Sequence, residues 1–171
     1  ILIVLISYGQ ILWMQPWEDD NALFFKLAHI QEPAGFFGSG PFGEGVYKYS
    51  VTPFILVFKL FGYYIPAYFG LALVFYIIAT FVIYKSLSVV LGKKTGKVAG
   101  FIYACGYVVS DGFWRLANSV TTSISIVIAN LFLLFYWKFY KKGRIVWYLL
   151  ALSFFFLGLE LGLARMHYFV S

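Results

Sequence analysis

The segment Tyr63–Tyr84, YYIPAYFGLALVFYIIATFVIY, runs for 22 residues without a charged side chain. A helix that crosses the hydrocarbon core of a bilayer needs about 20 mostly apolar residues. The segment is long enough to cross, and Lys85 directly after it ends the uncharged run. It therefore predicts a transmembrane helix, and the rest of the chain is interpreted outward from it.

The composition of the whole chain favours the same class of protein. Mean hydropathy is +0.84 and only 12% of the residues are charged, whereas soluble domains carry about 25%. Aromatic residues make up 23%, which is typical of lipid-facing helices with interfacial belts. The net charge of +6 could indicate nucleic acid, but the basic residues lie between apolar segments. We therefore expect an all-α, polytopic helical membrane protein that contacts membrane lipid and binds no nucleic acid.

Five apolar segments predict the spans of a single transmembrane domain. They cover about residues 1–14, 63–84, 98–114, 116–137 and 145–164. Because the chain starts inside an apolar run, we expect it to be a fragment of a longer protein that is inactive alone. An outer loop, residues 15–52, follows the first span, and Thr52-Pro53 predicts the start of a short interfacial helix over 53–61.

The basic residues predict the orientation of the spans. Eight of the 13 flank two turns that contain no acid: Lys85, Lys93, Lys94 and Lys97, then Lys138, Lys141, Lys142 and Arg144. By the positive-inside rule these turns face the cytoplasm. The six acids other than Glu160 then fall on the outer side. This pattern predicts a multi-pass protein of a plasma or inner membrane whose active site lies on the extracytoplasmic face.

Three consecutive acids, Glu18-Asp19-Asp20, open the outer loop. Adjacent carboxylates repel one another, and a divalent metal or a cationic substrate group relieves the repulsion. We take all three as candidate catalytic residues, with Asp19 favoured as general base, and Asp19 and Asp20 as ligands of Mg²⁺ or Mn²⁺. The alternative is helix capping alone. Asp20–Gln31 supports a helix start here, because its apolar side chains recur at helical spacing: Leu23, Phe24, Leu27 and Ile30.

Six further residues are candidates for substrate binding, each with a structural alternative. Arg115, with Asp111, lies in the short second outer loop, where a guanidinium can hold a phosphate bidentately or anchor the span end. Glu160 lies inside the last predicted span, and an ionisable residue at such a position indicates function. The alternative is that Glu160 only forms a structural pair with Arg165. Lys48 and Tyr49 precede the interfacial helix and can contact a sugar or head group, or simply snorkel.

The order of these features resembles the N-terminal part of the GT-C membrane glycosyltransferases, a class that includes protein O-mannosyltransferases and lipid A aminoarabinose transferases. The resemblance covers Trp17-Glu18-Asp19-Asp20, the helix through Ile30, and Tyr49-Ser50-Val51-Thr52-Pro53-Phe54 leading to Leu60-Phe61-Gly62. It implies an all-helical fold with an outer catalytic cavity. It also implies a polyprenyl-phosphate-linked sugar donor and a loop carboxylate that activates the acceptor.

Two positions depart from the family pattern. No acid follows soon after Arg115, and Arg165 stands where members often carry Lys after the fifth span. The competing interpretation is a membrane transporter or channel subunit, which Glu160 inside a span and the Gly-rich loop also suit. A purely structural membrane subunit is a third possibility. The sequence leaves the sugar and the acceptor open.

Overall fold

The computed structural model describes residues 1–16, 20, 24, 27, 52–106 and 116–170, of which 52, 117, 118 and 160–170 by their backbone only. These residues form helices and no strand, which confirms the predicted all-α class. In chain order the helices are α1 (Leu2–Tyr8), a 3-10 helix (Gly9–Trp13), α2 (Thr52–Phe61), α3 (Ile65–Val90), α4 (Lys93–Cys105), α5 (Leu116–Lys142) and α6 (Ile145–Val170). Residues 20, 24 and 27 are helical as well.

Two helices in the described part of the chain are long and apolar enough to cross a membrane. They are α3 and the part of α5 from Ser119 to Lys142, and the criterion is length and composition alone. Core helices of soluble proteins can pass the same test, but those are mostly buried. Here only 33% and 28% of the most apolar windows are buried within the structure.

Helices α3 and α4 form an antiparallel pair that packs backbone against backbone. The turn between them uses Gly92 at a φ of 101°, a conformation that L side chains rarely adopt. A Cβ atom on Gly96 would lie 2.6 Å from the Ser88 backbone nitrogen, and one on Gly100 would lie 3.1 Å from the Tyr84 Cβ. Gly96, Gly100 and Ala104 are buried at four-residue spacing on α4. This small-residue stripe is the kind that lets membrane helices approach closely.

Helices α3 and α5 run parallel, and α6 returns antiparallel to α5. The Ser86 hydroxyl of α3 donates to Asn130 Oδ1 of α5 at 2.6 Å. Nearer the start of both helices, Tyr103 of α4 stacks on Tyr76 of α3 and lies near Ser123 of α5. Ring contacts join α5 to α6 in reverse order: Phe132 with Phe155, Phe135 with Phe154 and Trp147, and Phe139 with Tyr148.

These directions give the bundle two distinct ends. The α3–α4 turn and the α5–α6 turn lie at one end, which we call the basic end because it carries all eight basic residues named above. The start of α3, together with α2, lies at the opposite end, which we call the loop end. The two basic turns therefore share one side, and their cytoplasmic placement stays a prediction.

The helix bounds differ from the predicted spans mainly at charged ends. The predicted span 98–114 corresponds to a helix that begins at Lys93 and ends at Cys105, with residues 107–115 outside the described part. Predicted spans ending at 137 and 164 continue as helix to Lys142 and Val170. Hydropathy registers only the apolar part of a helix, whereas Lys residues are good helix formers and extend it. The interfacial helix predicted over 53–61 is α2, one residue longer.

Candidate functional site

Asp20 is the one predicted catalytic carboxylate whose position the structure describes. It is helical and 0% exposed, and Phe24 and Leu27 at the following helical turns are also buried. The Phe24 ring meets the Tyr68 ring edge-to-face at 4.7 Å between centroids. The buried face predicted for this helix is thus present at both described apolar positions, and it packs on the start of α3. Asp20 also makes a hydrogen bond or an electrostatic interaction with another residue.

An aromatic cluster of Phe24, Phe54, Phe58, Tyr63 and Tyr68 supports this helix at the loop end. Tyr68 is 0% exposed and stacks on Phe54 of α2 at 6.4 Å. Phe58 of α2 contacts Tyr63 at 5.2 Å. We call this set the aromatic seat. Because its rings come from three helical segments, it fixes the Asp20 helix against both α2 and α3.

The bundle interior holds a second polar feature, which sequence reasoning missed. Helix α4 ends at Cys105, level with Tyr76 near the middle of α3. The Tyr8 hydroxyl donates to the Gly106 carbonyl oxygen at 3.1 Å, and the Tyr76 hydroxyl donates to the Tyr103 carbonyl oxygen. The Tyr8 and Tyr76 rings meet edge-to-face at 5.2 Å. We call Tyr8, Tyr76 and Tyr103 the tyrosine cluster.

These hydroxyls have a clear physical role. The last carbonyl groups of a helix have no partner within the helix, and an unpaired carbonyl in an apolar interior is costly. Tyr8 and Tyr76 supply the missing donors at the end of α4. Tyr68 does the same at the end of α2, where its hydroxyl donates to the Gly62 carbonyl oxygen at 2.6 Å. Tyrosine hydroxyls from neighbouring segments therefore donate hydrogen bonds to carbonyl groups at the ends of two helices.

The Ser/Thr-rich start of α5 faces the same interior. Ser119, Thr121 and Ser123 are buried, and the Ser119 hydroxyl donates to the Leu116 carbonyl oxygen at 2.8 Å. The Tyr103 hydroxyl is buried near Ser123 and makes no hydrogen bond within the described residues. Tyrosine and serine hydroxyls give up protons only far above neutral pH. This region thus offers hydrogen bonds, and not acid or base chemistry.

The remaining predicted site residues are not brought together by the described structure. Glu18, Asp19, Lys48, Tyr49, Asp111 and Arg115 lie outside the described residues, and Glu160 and Arg165 are helical positions of α6 described by backbone only. Within the part that the structure describes, no three His, Cys, Asp or Glu residues group as a metal site. The predicted Mg²⁺ or Mn²⁺ site on Asp19 and Asp20 stays a prediction.

No family model, curated protein or solved structure matches this chain. The resemblance to the GT-C glycosyltransferases therefore rests on the sequence motifs alone. Any functional conclusion has to be argued from residues and their placement.

Proposed function

We propose that the chain belongs to a multi-pass membrane glycosyltransferase of the GT-C type. It would move a sugar from a polyprenyl-phosphate-linked donor to an acceptor on the extracytoplasmic side. The observation that carries the proposal is the buried Asp20, held by the aromatic seat at the end of the bundle opposite the basic turns. A carboxylate is costly to bury unless it is paired, so such a residue is a candidate for function.

The membrane placement is supported by the surface of the helices and by their charges. Large apolar side chains are exposed along α3, including Val74, Ile78 and Phe81, and such surface is unfavourable in water. The eight basic residues of the two turns lie at one end of the bundle. If the positive-inside rule applies, the loop end with Asp20 is extracytoplasmic.

The proposed chemistry divides the roles of the acids. A general base must reach the acceptor proton, and a carboxyl group with 0% exposure such as that of Asp20 is poorly placed for this. We therefore assign the base role to Asp19, with Asp20 as a positioning residue. Arg115 would hold the donor phosphate bidentately and stabilise the charge that develops as it leaves.

The other candidates complete the proposed cavity. Glu18, Asp111, Lys48, Tyr49, Glu160 and Arg165 would contact the sugar, the phosphate or the acceptor. A bound Mg²⁺ or Mn²⁺ would neutralise phosphate charge, and carboxylate oxygens such as those of Asp19 and Asp20 suit these ions.

The direct test is sugar release from a polyprenyl-phosphate sugar by the full-length protein in proteoliposomes. The Asp19→Asn/Asp20→Asn double variant serves as the matched inactive form. We expect release by the native protein and loss with the double variant. Equal release by both, or none by either, would refute the proposal.

One observation favours a second candidate, a transporter or channel subunit. Helix α4 has 13 residues and ends beside the tyrosine cluster, level with the middle of α3. Helices interrupted near the midplane are typical of secondary transporters. Solute or ion flux through proteoliposomes without any sugar transfer would favour this candidate over the enzyme.

A further inference from the structure

Tyr68 is buried in the first turn of α3, where its ring and its hydroxyl group have different partners. The side chain is 0% exposed. Its ring meets Phe24 edge-to-face at 4.7 Å between centroids and stacks on Phe54 at 6.4 Å. Its hydroxyl group donates to the Gly62 carbonyl oxygen at 2.6 Å. One side chain therefore joins the Asp20 helix, α2 and the turn between α2 and α3.

The hydrogen bond to Gly62 restrains a turn that the backbone alone leaves adaptable. Gly62 follows the last residue of α2 at a φ of 57°, and its amide donates to the Phe58 carbonyl oxygen at 2.8 Å. Glycine has more conformational freedom than any other residue, so a turn built on it lets α2 shift relative to α3. The Tyr68 hydroxyl ties this turn to the start of α3. It thereby fixes how the α2 rings of the aromatic seat, Phe54 and Phe58, stand against those of α3.

The position of the aromatic seat is transmitted to the acids through Phe24. Asp20 and Phe24 are both helical, and residues four apart lie on the same face of a helix, one turn from each other. Both are buried, with exposed fractions of 0% and 7%. A shift of the Phe24 ring on Tyr68 therefore displaces Asp20, and Asp19 directly precedes Asp20 in the chain.

We propose that Tyr68 is a positioning residue of the transfer reaction, whose hydroxyl group sets the aromatic seat and so holds Asp20 and the adjacent Asp19 in place. The inference rests on the proposed function. A hydroxyl group that only caps a helix stabilises the fold without changing the rate, as we expect for Tyr76, whose hydroxyl donates to the Tyr103 carbonyl oxygen. A displacement of reacting groups by about 1 Å, in contrast, costs up to about 10²-fold in rate.

The first test compares amide hydrogen exchange and sugar transfer in variants of the full-length protein. Tyr68→Phe keeps the ring contacts and removes the hydrogen bond, and Tyr76→Phe is the matched control on the same helix. Tyr68→Phe should raise exchange in peptides that cover residues 20–27 about fivefold, the usual effect of one hydrogen bond. It should also lower kcat by about 10–10²-fold at unchanged KM for the donor, because the donor phosphate is assigned to Arg115. Tyr76→Phe should change neither quantity.

A second variant tests the route through Phe24. Phe24→Leu removes the ring that lies on Tyr68 and should lower kcat to a similar extent. If Tyr68 acts through this ring, its hydroxyl group has no further effect once the ring is gone. The double variant Phe24→Leu/Tyr68→Phe should therefore transfer sugar no more slowly than Phe24→Leu. Circular dichroism and gel filtration check that each variant is folded.

The positioning role and glycosyl transfer fail separately. Unchanged exchange at residues 20–27 in Tyr68→Phe, equal losses of kcat in Tyr68→Phe and Tyr76→Phe, or additive losses in the double variant would each overturn the positioning role. Native kcat in folded Phe24→Leu would do so even if Tyr68→Phe does not fold. If the native protein transfers no sugar, glycosyl transfer is refuted, and the difference in exchange between Tyr68→Phe and Tyr76→Phe decides whether Tyr68 holds the Asp20 helix.

Discussion

The loop end and the basic end of the bundle differ in how far their charged side chains are exposed to solvent. At the loop end the carboxylate of Asp20 is withdrawn from solvent, beside the aromatic seat. At the basic end the charged groups stay near the surface and lie over aromatic rings. Lys138 Nζ is 4.7 Å from the Trp147 ring centroid, and Lys141 Nζ is 5.0 Å from that of Trp137.

Under the proposed function, the loop end acts on substrate and the basic end only anchors the bundle. A cation over a ring face contributes about 0.5–1 kcal/mol at an exposed site, so the basic end is expected to tolerate single substitutions. A buried carboxylate tolerates substitution of its neighbours poorly, because the loss of a partner leaves an uncompensated charge in the interior. We therefore expect large effects on activity at the loop end and small effects on stability at the basic end.

The largest expected effect is an all-or-none difference in labelling between the two ends. In a Cys105→Ser background, single cysteines at Thr95 and Arg144 should be protected from an impermeant thiol reagent, and one at Gly40 should react. The physical reason is the positive-inside rule applied to the basic turns. Arg144 is preferred to Gly143, whose φ of 64° disfavours a side chain. Labelling of Thr95→Cys from outside sealed cells would reverse the orientation.

The next effect is loss of activity at the loop end. Asp19→Asn should lower the rate of sugar transfer about 10²–10⁴-fold, the usual cost of a lost general base. Asn retains shape and capping ability, so folding should be nearly unchanged. Rates are measured in the full-length protein with saturating lipid-linked donor.

Asp20→Asn separates the proposed positioning role from the proposed base role. It should reduce transfer less than Asp19→Asn and leave the pH profile of the rate unchanged, since the proposed mechanism assigns the proton to Asp19. Glu44→Gln is the matched control in the same loop and should be silent. If Asp19→Asn transfers sugar at the native rate, the three acids only start a helix.

The sequence predicted the parts of this protein that depend on simple periodicity. The uncharged run 63–84 identified α3, Thr52-Pro53 identified the start of α2, and the spacing of Phe24 and Leu27 identified a buried helical face. These succeed because hydropathy and capping are local properties. Six of the predicted site residues lie outside the described residues, so for them the site remains a prediction.

The tyrosine cluster could not be predicted, because its contacts join distant segments. Tyr8 and Gly106 are 98 residues apart, and nothing near either residue signals the hydrogen bond. The available clue was composition: Tyr76 stands in the middle of an apolar run, where a hydroxyl requires a partner. The stripe Gly96, Gly100 and Ala104 was also readable as small-residue spacing, but the predicted span began only at Val98.

Helix packing near the basic end gives the next prediction. Gly96→Ala should destabilise the protein by about 1–3 kcal/mol, the usual cost of overpacking, because the new Cβ lies 2.7 Å from the Tyr84 carbonyl oxygen. Gly70→Ala is the matched control, since its Cβ meets only the flexible Leu12 at 3.9 Å. Unfolding in mixed detergent measures both. Equal stabilities would mean that α3 and α4 are not in close contact.

Between the two ends, Tyr8→Phe should lower the free energy of unfolding by about 1 kcal/mol, because the Gly106 carbonyl oxygen loses its hydrogen-bond donor. Unfolding in mixed detergent gives the free energy. Tyr64→Phe is the control, since Tyr64 is exposed. A loss of the same size in both variants would remove the capping role of the tyrosine cluster.

The smallest expected effect lies among the lysines at the basic end. Lys138→Gln should lower the free energy of unfolding by about 0.5–1 kcal/mol, because the ammonium group lies over rings of both α5 and α6. Lys142→Gln removes the same charge at an exposed position where no such ring contact is found within the described residues. Unfolding in mixed detergent at low and high salt distinguishes the two causes. A contact with ring faces resists salt better than diffuse charge attraction does. If both variants lose equal stability and salt erases both losses, the ring contacts contribute nothing, and the basic end acts through total charge alone.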